Sequence, residues 1–152
     1  MQIAVFEDDL TFATQLETLI RQYTHHPTSI NTCVAGEIFN WIKKTVEPAL
    51  YLLDIMSDGQ TTGFQIAQHI TEWQSCSLIV FITAYPEKIQ FNSIYKTKAF
   101  SFIQKNAPML EREIMETISL AEKAFLAKCL YIHLGKFEDL YIPHEKISLW
   151  KR

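Results

Sequence analysis

The sequence predicts an α/β protein, a doubly wound parallel sheet with helices on both faces, and three observations predict it. Short apolar runs alternate with amphipathic stretches five times along the chain. The central runs are continuously apolar, as suits strands buried on both faces. Acidic, hydroxyl and basic residues collect just past the ends of the runs, where ligands bind in such sheets. Strands that alternate with helices pair in parallel, because each helical crossover returns the chain to the same end of the sheet.

Ile3 to Phe6 is the first apolar run. Phe12, Leu16, Leu19, Ile20 and Tyr23 follow at helical spacing, which predicts a helix over Leu10 to Tyr23. Thr28 to Val34 is rich in β-branched residues and reads as the second strand. Gly36 to Val46 reads as a helix that stops before Pro48. Ala49 to Asp54 is the third strand, followed by a polar loop from Ile55 to Gly63. Phe64 to Trp73 reads as a helix, Ser77 to Ile82 as a fourth strand, Pro86 to about Ile94 as a short helix and Ala99 to Ile103 as a fifth strand. Pro108 opens a long helix whose stripe is Leu110, Ile114, Ile118, Ala121, Phe125 and Cys129. Leu130 to Leu134 and Asp139 to Ile142 alternate in a strand-like way around Gly135-Lys136, a hairpin too small to be stable alone. The expectation for 129–152, after a first domain over 1–128, is a linker and the truncated start of a second domain.

Composition narrows the function. The chain has 152 residues, 48% apolar and 20% charged, which is ordinary globular usage. The net charge of −3 does not suggest a nucleic-acid surface. The N-terminus lacks a basic region and a cleavage pattern, and no apolar run reaches the roughly 18 residues of a membrane helix. A cytoplasmic protein is expected. Cys33, Cys76 and Cys129 form no CxxC pair and read as buried free thiols. His25, His26, His69, His133 and His144 have no useful metal-ligand spacing, and Lys43-Lys44 reads as a solvated face. Trp41 and Trp73 read as partly buried packing residues on helices.

The chemistry lies at the strand ends. The first strand ends in Glu7-Asp8-Asp9, the third in Asp54, the fourth in Thr83-Ala84 and the fifth in Lys105. Clustered carboxylates repel one another and are tolerated around a cation; hard oxygen ligands suit Mg²⁺. A carboxylate can attack a phosphoryl group and form an acyl phosphate. A metal and a lysine ammonium offset charge on the phosphoryl oxygens, and a threonine hydroxyl can bond one of them. Each group also has a plainer reading: an acidic run can cap a helix, and Asp54 can open a turn.

Taken together, Ile3-Ala4-Val5-Phe6-Glu7-Asp8-Asp9, Leu53-Asp54-Ile55, Phe81-Ile82-Thr83-Ala84 and Phe102-Ile103-Gln104-Lys105 resemble the bacterial two-component response-regulator receiver domain over residues 1 to 128. The resemblance implies a CheY/flavodoxin-like sheet of order 2-1-3-4-5 with Asp54 as phosphoacceptor. It implies Mg²⁺ held by Asp8 and Asp54, by Glu7 through water and by the main-chain carbonyl of Met56. Thr83 and Lys105 would contact the phosphoryl group, and Phe102 would be the switch aromatic. Asp9 and Asp58 are accessory candidates, Asp58 also reading as a plain Asp-Gly turn. Asn106 follows Lys105 where most receivers carry proline, and Met56 stands where some relatives carry a second acid.

Tyr51 to Ile55, the long loop to Gly63-Phe64, and Ile79 to Thr83 further resemble receivers of LytTR-type transcription regulators. That likeness implies a sensor histidine kinase as phosphoryl donor, dimerisation on activation through the face of the fourth strand, fourth helix and fifth strand, and DNA contact only through a C-terminal output domain. A pseudo-receiver that does not use phosphate is the alternative. A phosphatase of the haloacid dehalogenase type would need its nucleophile after the first strand, whereas Asp54 follows the third.

Overall fold

A computed structural model describes residues 1–25, 28–31, 35–44, 48–56, 62–74, 76–88 and 96–134. The strands are β1 (Gln2–Phe6), β2 (Thr28–Asn31), β3 (Ala49–Asp54), β4 (Leu78–Thr83) and β5 (Ser101–Gln104). All pairs are parallel, in the order β2-β1-β3-β4-β5. The helices are α1 (Leu10–Tyr23), α2 (Ala35–Lys44), α3 (Thr62–Trp73) and α4 (Leu110–Leu134), with a 3-10 turn at Pro86–Lys88.

Strand alternation divides the core in two. Ile3 and Val5 of β1, with Leu50 and Leu52 of β3, pack against Leu16 and Ile20 of α1 and Ile114 and Ile118 of α4. Ala4 and Phe6, with Tyr51 and Leu53, pack against Ile38 and Ile42 of α2 and Ile66 and Ile70 of α3. Every residue of β3 and β4 is buried, which is why those runs lack the alternation of a half-exposed strand. Tyr51 is fully buried, so its hydroxyl needs a partner. It donates to Gln74 Oε1 at 2.8 Å, and Gln74 Nε2 donates to the carbonyl of Ile42 at 2.9 Å.

α1 begins where Asp9 caps it. The Asp9 carboxylate accepts the Thr11 and Phe12 amides at 2.9 and 3.2 Å. α3 begins earlier than the apolar pattern indicates, so Thr62 and Gly63 are its first turn rather than the end of a loop. β5 starts at Ser101, two residues later than expected.

The C-terminal reading needs correction. Leu130 to Leu134 lies in α4, not in a strand, and the 128/129 division falls inside that helix. After Pro108 the sequence contains no glycine or proline before Gly135, so nothing stops the helix where the stripe weakens. The second expected strand, 139–142, lies outside the described residues, as do 89–94 of the expected fourth helix. Trp73 is also corrected: it is 59% exposed, with the Lys43 ammonium 5.0 Å from its ring centroid. The expectation of a buried thiol is corrected for Cys76, which is only partly buried. Among the described residues no helix is long and apolar enough to cross a membrane.

Candidate functional site

Strand register builds the site. Phe6 pairs with Leu53, so Glu7 and Asp54 are the next residues along adjacent strands. Asp54 pairs with Ile82, and Thr83 follows it. Thr83 pairs with Gln104, and Lys105 follows that. The Lys105 amide donates to the Thr83 carbonyl at 2.8 Å, extending the ladder to the lysine itself.

The charged groups converge. Lys105 Nζ lies 2.6 Å from Asp54 Oδ2 and 2.8 and 2.7 Å from Glu7 Oε1 and Oε2. Glu7, Asp8 and Asp54 each offer an oxygen, all within 4.8 Å of one another. Glu7 and Asp54 are buried, and Asp8 is exposed. Asp54 Oδ1 accepts the Met56 amide at 3.1 Å, which fixes the plane of the carboxylate. This is a donor set of hard oxygens from three carboxylates, two of them paired with an ammonium, a composition that suits a small divalent cation.

Thr83 is buried, and its hydroxyl accepts the Tyr85 amide at 3.0 Å. Phe102 stacks on Phe81 with ring centroids 5.2 Å apart, and Phe64 meets the same Phe81 edge-on at 5.0 Å. Asp9 is outside the carboxylate cluster and serves as the α1 cap. Asp58 lies outside the described residues. Among the described residues there is no cis peptide bond, and Lys105 reaches both carboxylates with Asn106 behind it.

No protein-family profile matches the chain. Among curated proteins it is similar to accessory gene regulator protein A of Staphylococcus epidermidis and of Staphylococcus aureus. Each is 25% identical over 127 residues, covering 80% of this chain and 53% of the relative. The chain thus spans about half the length of the curated relatives it matches. Among solved structures it superposes on the response regulatory domain of mrkE from Klebsiella pneumoniae, with 22% identity and a TM-score of 0.69 over 84% of this chain and 99% of that one. A CheY-like receiver domain protein from Methanospirillum hungatei gives 17% identity and a TM-score of 0.67 over 81% and 94%. Response regulator TrrA of Thermotoga maritima, in complex with Mg²⁺-BeF, gives 19% and 0.65 over 80% and 99%. The chain has the CheY-like fold of a response-regulator receiver domain.

Two residues at the site of this receiver fold escaped the sequence reading. A Cβ on Gly63 would overlap the carbonyl oxygen of Asp54 and come within 2.8 Å of Ile55 Cα, so only glycine lets α3 start this close to Asp54. The signal was a glycine in a first helical turn, where it has no propensity advantage. Phe12 carries the Lys105 ammonium 4.8 Å from its ring centroid. Phe12 read as part of the apolar face of α1, and nothing in a single sequence tells such a ring from its neighbours.

Burial pushes the Glu7 carboxyl up to about 7; Lys105 opposes the rise and Asp54 adds to it. Burial pulls Lys105 down, but its hydrogen bonds to Asp54 and Glu7 outweigh that and hold it above its ordinary value. The lysine therefore stays charged between two acids.

Proposed function

We propose that this chain is the phosphoaccepting receiver of a two-component signalling pathway, with Asp54 as the acceptor. The observation that carries the reading is the Asp54 carboxylate, buried at a strand end with one oxygen 2.6 Å from Lys105 and carboxylates of Glu7 and Asp8 beside it. An Asp54 oxygen attacks the phosphorus of a phosphohistidine on a sensor kinase. The new O–P bond forms as the P–N bond breaks, and the imidazole nitrogen leaves with the electron pair. Asp8, Asp54 and the Met56 carbonyl would hold Mg²⁺, with Glu7 acting through water, and the ion would offset charge on the phosphoryl oxygens. Lys105 supplies the second positive charge, and Thr83 a hydroxyl for a phosphoryl oxygen.

Phosphorylation would draw Thr83 toward the acyl phosphate and repack Phe102, biasing the β4 and β5 face toward dimerisation. The similarity to accessory gene regulator protein A supports a regulator of gene expression. Residues after the receiver would lead into a LytTR-type DNA-binding domain, and the protein would act in the cytoplasm. A phosphorylation-independent interaction module is the competing reading; the Lys105–Asp54 contact supports the phosphoacceptor.

Intact-mass measurement after incubation with acetyl phosphate and Mg²⁺ tests this. One phosphoryl group is expected on the wild type, and none on Asp54→Ala or after chelation of the metal. Equal incorporation by wild type and Asp54→Ala would overturn the assignment.

A further inference from the structure

α3 is tied to its surroundings near both ends. At its start the Gly63 amide donates to the carbonyl of Ile55, the residue after Asp54, at 3.1 Å. About two turns further along the helix is Thr71. Its hydroxyl lies 2.9 Å from the carbonyl of Ala67 and 3.0 Å from that of Thr97. Thr97 is 2% exposed and is the last helical residue before β5. Lys98 follows with a φ of 49°, a left-handed backbone that few residues other than glycine adopt. The Phe100 amide then donates to the Ile79 carbonyl at 2.7 Å, and β5 begins, carrying Phe102 and leading into Lys105.

A hydroxyl has one proton to donate. Given to Ala67, it makes the ordinary back-bond of a helical threonine. Given to Thr97, it fastens α3 to the chain that feeds β5. The two acceptors lie at nearly equal distance, so rotation about one bond moves the proton between them. Ala67 keeps the hydroxyl satisfied when the Thr97 bond opens, which makes opening cheap.

We infer that Thr71 is a positioning residue of the switch: its hydroxyl clamps the turn before β5 to α3 in the unphosphorylated protein and frees it when Asp54 carries a phosphoryl group. The inference rests on the phosphoacceptor reading and adds a connection through α3 beside that of Thr83 and Phe102. α3 suits the task because its first turn abuts the acceptor's own backbone, where Gly63 leaves no room for a Cβ. A shift at the end of β3 therefore moves α3, and Thr71 with it. The Lys98 turn takes up the displacement, since a left-handed lysine persists only while its surroundings hold it. The clamp favours the resting arrangement, so loosening it raises the population that accepts a phosphoryl group.

Two substitutions in the full chain separate the hydroxyl from the shape of the side chain. Thr71→Val keeps the shape and removes the donor, and Thr71→Ser keeps the donor. Amide hydrogen exchange at Phe100 in the unphosphorylated protein, read by NMR, is expected to quicken on the order of fivefold in Thr71→Val, as loss of one hydrogen bond implies. It should stay at the wild-type rate in Thr71→Ser, with the Val5 amide of β1 as the measure of global opening. Phosphoryl incorporation from acetyl phosphate with Mg²⁺, followed by intact mass, is expected to run about two- to threefold faster in Thr71→Val and unchanged in Thr71→Ser. A merely structural loss would quicken exchange without speeding incorporation. In the wild type, phosphorylation itself is expected to quicken exchange at Phe100, a readout that needs no variant to fold. Unchanged exchange at Phe100 in Thr71→Val or in the phosphorylated wild type, incorporation no faster in Thr71→Val, or Thr71→Ser behaving as Thr71→Val overturns the clamp and leaves the phosphoacceptor standing. A wild type that takes up no phosphoryl group overturns the phosphoacceptor reading and the inference with it.

Discussion

At the scale of single residues, position depends on which side chain is missing as much as on which is present. Gly63 shows this most sharply. Its amide donates to the Ile55 carbonyl at 3.1 Å, pinning the start of α3 against the end of β3. Gly63→Ala would force the helix and the Asp54 carbonyl apart. A cost on the order of 1–3 kcal/mol is expected from overpacking. Phosphoryl incorporation at a temperature where the variant is folded should also slow, because Asp54 moves with its backbone. Urea unfolding and the rate of mass gain check the two effects. Wild-type stability in Gly63→Ala would show that the close approach is not needed. The acidic and basic groups themselves were legible in the sequence, since strand ends in a parallel sheet fall on one edge. The steric role of Gly63 was not, because it depends on the path of a loop between β3 and α3.

At the scale of elements, Asp9 illustrates how two readings of one acidic run separate. Glu7, Asp8 and Asp9 are consecutive, yet the chain turns from β1 into α1 there and sends them to different tasks. Glu7 faces Lys105, Asp8 joins the carboxylate cluster and Asp9 caps the helix. Asp9→Ala is expected to lower stability by about 1 kcal/mol, or about 3 °C in Tm for a chain of this size. Asp9→Ser, which keeps a capping oxygen, should restore most of it, and Mg²⁺ affinity should be nearly unchanged in both. Thermal melts and calorimetry check this; a collapse of metal binding in Asp9→Ser would place Asp9 in the metal site instead. The same scale explains the misread C-terminus. In Leu130-Tyr131-Ile132-His133-Leu134 the alternation is only local. A helix already running for five turns continues at the cost of one residue at a time, whereas a new strand needs a partner.

At the scale of the whole molecule, two apolar layers hold a sheet whose one edge collects negative charge. The apolar layers were readable because β-strand alternation sends Ile3 and Val5 one way and Ala4 and Phe6 the other. The balance of charge was not, since it depends on burial. Glu7 ordinarily titrates at 4.5 and is held at about 7 in the fold. A carboxyl raised on folding contributes stability that is fully present below its unfolded value and is lost as pH rises through its folded value. The metal-free protein is therefore expected to lose on the order of 2 kcal/mol between pH 5 and pH 8, about 6 °C in Tm. Lys105 contributes nothing to that window, because its own value lies above its ordinary one. Mg²⁺ held at the proposed site would favour the charged form of Glu7 and oppose the trend. At a hundred times its dissociation constant a ligand adds about 2.7 kcal/mol, and the gain should be larger at pH 8 than at pH 5. Glu7→Gln isolates the effect from histidine titration, since it should flatten the metal-free profile while leaving other slopes in place. Thermal melts of both proteins across this range, with chelator and with Mg²⁺, decide the matter. A wild-type Tm that rises with pH in chelator, or a Glu7→Gln profile parallel to it, would mean that the buried carboxylate does not set the stability of the metal-free state.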